Sequence, residues 1–126
     1  MESEKLKIYQ NRLMISDLIF DVLTDKKTVL EAVSLFPKDK NDINIKCAFD
    51  ALMYREADED IRKKSADYAQ IQDEYLELIA KTLKENQSLP KNVIARYLKY
   101  NKDDIIASNE KTFKEKIKKL KRIINF

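Results

Sequence analysis

The sequence predicts an all-α fold: a single domain over residues 1–126, built as a bundle of five or six helices with a central antiparallel helical hairpin. Three observations predict it. Glycine is absent and proline occurs only at Pro37 and Pro90, whereas sheets joined by tight hairpins need residues that take positive φ freely. Lys, Leu, Glu and Ala, all good helix formers, supply much of the chain. Apolar residues recur at three- and four-residue intervals in one stretch after another, the spacing of a helix face. A chain of this length buries roughly two-thirds of its surface, enough for one core.

The first helix is expected over 4–23. Leu6, Tyr9, Leu13 and Phe20 form a stripe, and Ile15, Leu18, Ile19, Val22 and Leu23 widen it. A helix apolar around most of its circumference is either central in a bundle or half-covered by another chain, as in a homodimer. Thr28-x-x-Glu31 is a capping box that opens a short helix ending at Phe36, with Pro37 just beyond. A polar loop follows, and Asn41 or Asp42 caps the next helix.

From Ile45 to Leu83 the pattern is that of two helices folded back on each other at Lys64–Ser65. On a 100° wheel continued from Leu52, Ile79 falls at about 180°. One straight helix would therefore leave one of its two apolar stripes in water. A reversal at Ser65, an N-cap residue followed by Asp67 in the first turn, removes the conflict. Ser88 with Pro90 opens a further helix to about Tyr100. A last one, from about Asp104 to Ile124, carries Ile106, Phe113, Ile117, Leu120 and Ile124 on one face. Lys114, Lys118, Lys121 and Arg122 lie on its other side, a basic surface.

Composition narrows the chemistry. Histidine is absent, which removes imidazole ligation and Ser–His or Cys–His catalysis. Cys47 is the only cysteine, so no disulfide can form within the chain, and its phase makes it a packing thiol. Walker and Rossmann loops both need glycine. No apolar run is long enough to span a bilayer and the charged start does not read as a signal peptide, so the expected location is cytoplasmic and not transmembrane. Residues 50–79 carry nine carboxylates against four cations, and residues 108–126 seven cations against two carboxylates. These two regions have the charges to attract each other.

The hairpin holds the candidate site. With Leu52 at zero, Glu56 falls at about 40°, Glu59 at about −20° and Asp60 at about 80°. The face that buries Phe49 and Leu52 thus turns acidic. Opposite it, Tyr68, Gln72 and Tyr75 can donate hydrogen bonds, and Lys63 or Arg62 can supply a counter-charge. The expectation is a polar network. Its sharper alternative is a site in which Glu56, Glu59 and Asp60 hold Mg²⁺ or Mn²⁺, hard cations that take oxygen ligands.

Glu56-x-x-Glu59 with Glu74-x-x-Glu77 resembles the paired acidic motifs of all-α nucleotide pyrophosphohydrolases of the MazG type, which implies Mg²⁺ held against a triphosphate. Glu74 and Glu77 fall on the far side of their helix, however, and pairs that point apart cannot share an ion. A helix–turn–helix is also resembled in outline by residues 29–56. Its second helix runs into acid where phosphates would lie, which opposes DNA binding. The function expected is therefore that of a non-catalytic protein-interaction module of the adaptor, chaperone-like or immunity type. The alternatives are a metal-dependent all-α hydrolase of phosphate-containing substrates, and binding of nucleic acid or an anionic membrane surface through the last helix.

Overall fold

The computed structural model describes residues 2–37 and 42–99. Six helices follow one another: α1 (Glu2–Leu23), α2 (Val29–Ser34), α3 (Ile43–Ala57), α4 (Glu59–Lys64), α5 (Ala66–Lys84) and α6 (Lys91–Lys99). There is no strand among the described residues. The fold is an all-α bundle, and none of these helices is long and apolar enough to cross a membrane.

The ends of the helices follow from local chemistry. Thr28 and Glu31 form the reciprocal capping box, with Oγ1 accepting from the Glu31 amide at 3.1 Å and the Glu31 carboxylate from the Thr28 amide at 2.9 Å. Asp42 caps α3 through the amide of Asn44 at 3.0 Å. Ser65 caps α5 through the amide of Tyr68 at 3.2 Å, so the chain reverses where the phase conflict required. Pro90 opens α6 by accepting from the amides of Val93 and Ile94.

With no glycine available, α1 and α5 end on Asp25 and Asn86 at φ 60° and 57°. Both ends are Schellman motifs. Lys26 and Asp25 donate to Asp21 and Val22, and Gln87 and Asn86 donate to Thr82 and Leu83. Asp and Asn are the residues that tolerate this region best after glycine.

α3 is the hub. From Asn44 to Tyr54 every side chain except that of Lys46 is buried, and α1, α2, α4, α5 and α6 all pack on it. A helix so enclosed cannot enter a DNA groove. Around it lie Ile15, Ile19, Val22, Val33, Leu76, Ile79, Leu83 and Val93, all 2 % exposed or less. Phe36 meets Phe49 edge to face with centroids 6.0 Å apart.

The two rows of α1 exchange the weight that periodicity assigned them. Ile15, Leu18, Ile19 and Val22 enter the core, while Leu6 is 55 % exposed and Tyr9, Leu13 and Phe20 are half-buried. The cause is α5, which packs antiparallel on the flank of α1. Ser16, fully buried on that flank, donates to the Ala80 carbonyl at 2.8 Å.

Candidate functional site

The first arm of the hairpin is not one helix. At Asp58 the backbone turns to φ −92°, ψ 15°, ending α3 and starting α4. The break rotates everything after it, and it decides which carboxylate lies against α5. That carboxylate is Asp58, 9 % exposed. Tyr68 Oη donates to its Oδ2 at 2.6 Å, and Gln72 Nε2 donates to the same oxygen at 2.8 Å.

The network continues outward from Gln72. Arg62, one turn into α4, donates from Nη1 to Gln72 Oε1 at 2.9 Å and to the Ala69 carbonyl at 3.1 Å. Its Nη2 reaches Asp73 Oδ2 at 3.1 Å. Arg55 Nε, from the last turn of α3, donates to Asp73 Oδ1 at 3.1 Å. Two carboxylates and two guanidiniums therefore balance within one cluster that spans α3, α4 and α5. The Arg62 side chain is only 14 % exposed, so its charge is largely withdrawn from water and its pairing is structurally demanded.

The expected residues divide. Tyr68 and Gln72 lie in the network and donate to Asp58. Glu56 is half-buried, beside Arg55 and Arg62, in a depression of about 480 Å³ that also takes in Lys26, Lys27 and Thr28. Glu59 and Asp60 are exposed. Glu59 pairs with Lys63 at 3.2 Å one turn on, so Lys63 belongs to the surface and not to the cluster. Tyr75 is half-buried under the Arg96 guanidinium, 4.4 Å from its ring centroid. Glu74 and Glu77 are exposed, bonded to Gln70 and paired with Lys81 respectively. Lys114, Lys118, Lys121 and Arg122 lie outside the described residues.

Periodicity missed Asp58 because it falls at about −120° on the Leu52 wheel, off the buried stripe of an unbroken helix. A signal for it was present. Asp followed by Glu59 and Asp60 is how a helix begins, with an N-cap type and two acids in the first turn.

The chemistry open to this cluster is that of a clasp. Asp58 Oδ2 is engaged by two donors and the Arg62 guanidinium by three acceptors. Among the described residues no group of three or more His, Cys, Asp or Glu comes together in a way that could hold a metal ion. Cys47 is fully buried, and burial, reinforced by Asp50, pushes its thiol up to about 12, far from the thiolate a nucleophile needs. Comparison with protein-family models, curated proteins and solved structures returned no match.

Proposed function

We propose that this chain is a non-catalytic binding module that receives a helical segment of a protein partner along the outer row of α1. The observation that carries the reading is that row. Leu6 stands 55 % exposed, and Tyr9 and Leu13 on the same face are half-buried, one and two turns further on. Apolar anchors at this spacing accept the apolar face of a partner helix. The polar groups of the hairpin support the same reading, because they are committed to holding the bend.

A displayed library of amphipathic helical peptides, selected on the immobilised full chain, tests the surface. The expected result is peptides whose binding is lost with Leu6→Glu plus Leu13→Glu and kept with Lys63→Glu. Peptides that bind the double variant as well would overturn the assignment. The non-catalytic part is tested by titrating Mg²⁺ or Mn²⁺ against the wild type and Glu56→Ala, with nucleoside triphosphates present. Unchanged melting temperatures and no turnover are expected. A metal-induced rise that needs Glu56, or hydrolysis at ordinary enzyme rates, would favour the hydrolase.

A further inference from the structure

A second apolar row, on α5, is left open on the other side of the bundle. Ile71 and Leu78 are 48 % and 42 % exposed. They lie two helical turns apart, with half-buried Tyr75 between them. With Ile79 at zero, Ile71 and Leu78 fall at about −80° and −100°, and the exposed carboxylates of Asp67 and Glu74 at about −120° and −140°. The row is thus apolar with an acidic edge.

The path of the chain brings a complementary segment to it. α6 starts beside the beginning of α3, where the Leu89 amide donates to Asn44 Oδ1 at 2.8 Å. It ends with Tyr97 against Tyr54, ring centroids 6.2 Å apart, and Arg96 over Tyr75. The chain therefore leaves α6 beside Tyr75, at the level of Ile71 and Leu78. In helical register, residues 104–124 align Ile106, Phe113, Ile117, Leu120 and Ile124 on one face. A helix of that length is about 31 Å long, and α5 is about 28 Å. The four residues between Lys99 and Asp104 are a typical connection between antiparallel neighbours.

We propose that residues 104–124 dock as a helix along α5, covering Ile71 and Leu78. The occupant is this chain's own segment. The surface is separate from the α1 row, so either assignment can fail without the other.

Hydrogen exchange of the full-length chain at low micromolar concentration, with sedimentation to establish its mass, tests the docking. In a monomer, amides of residues 108–120 are expected to exchange on the order of tenfold or more slowly than an unstructured chain. Ile71→Glu plus Leu78→Glu should abolish that protection while leaving α1 and α3 protected. Both side chains are exposed, so the core is spared. Met14→Glu, at an exposed position on α1, should leave protection unchanged. Unprotected amides in the wild type, or protection that survives the double substitution, would overturn the proposal. So would protection that appears only in a dimer, which would assign the row to a second copy.

Discussion

Asp58 shows how much a single carboxylate depends on its donors. Its Oδ2 accepts from a phenol at 2.6 Å and an amide at 2.8 Å, and the residue is nearly closed to water. Tyr68→Phe removes the phenol donor and leaves a buried anion less well satisfied. We expect a loss of about 1–3 kcal/mol, read as a lower urea midpoint at unchanged slope. Arg62→Ala should cost at least as much, since it strips partners from Gln72 and Asp73 together. Asp60→Ala, at an exposed position of the same helix, should fall within about 0.5 kcal/mol of the wild type. Equal effects for Tyr68→Phe and Asp60→Ala would contradict the network as the determinant of the bend. The kind of network was legible in the residue types facing the bend. Which acid it used was not, because one non-helical residue resets the phase of every side chain after it.

At the scale of elements, the ends were more legible than the faces. Thr28–Glu31, Ser65 and Pro90 announce their helices through short-range hydrogen bonding that needs no tertiary information. The burial of α1 was legible only in part, since a helix apolar nearly all round does not say which side its neighbour will take. The terminator at Asp25 is not legible because the usual marker, glycine, is missing from the chain, whereas Asn86 lies in the polar run Asn86–Ser88 that ends the hairpin. At Asp25 the left-handed conformation is held by the Schellman bonds to Asp21 and Val22. Asp25→Gly should therefore stabilise or leave stability unchanged, and Asp25→Ala should be about 1 kcal/mol less stable than the glycine variant. Urea midpoints of the pair decide this, and an alanine variant as stable as glycine would rule out strain at this position.

For the molecule as a whole, α3 is held at both ends by polar clasps, and the apolar core lies between them. The Asp58 cluster closes one end. At the other, Arg12 Nε donates to Asp42 Oδ2 at 3.1 Å, and Arg12 Nη1 donates to Asn86 Oδ1 at 3.2 Å. Asn44 completes this clasp, donating to Asp42 and accepting from Leu89. The pair is well shielded, with Arg12 and Asp42 side chains 13 % and 8 % exposed. Burial alone would raise the Asp42 carboxyl, but the Asn44 and Arg12 donors outweigh it and hold the group below its ordinary value.

A carboxyl that binds its proton less tightly when folded stabilises the fold in its ionised form. That contribution is complete above the unfolded aspartate value of about 3.9 and is lost as pH falls through the lower folded value. Glu31, held down by the Thr28 hydrogen bonds, acts in the same direction, so the wild type alone cannot isolate the clasp. The difference between wild type and Asp42→Asn can. Asparagine keeps a capping oxygen but gives up the charge. The wild type should be the more stable at pH 6, and its advantage should shrink steadily between pH 4 and pH 2, measured as urea midpoints. An advantage that stays constant over that interval would mean that Asp42 contributes by its shape and hydrogen bonds alone, and that the charge of Arg12 does not draw α1 onto the start of α3.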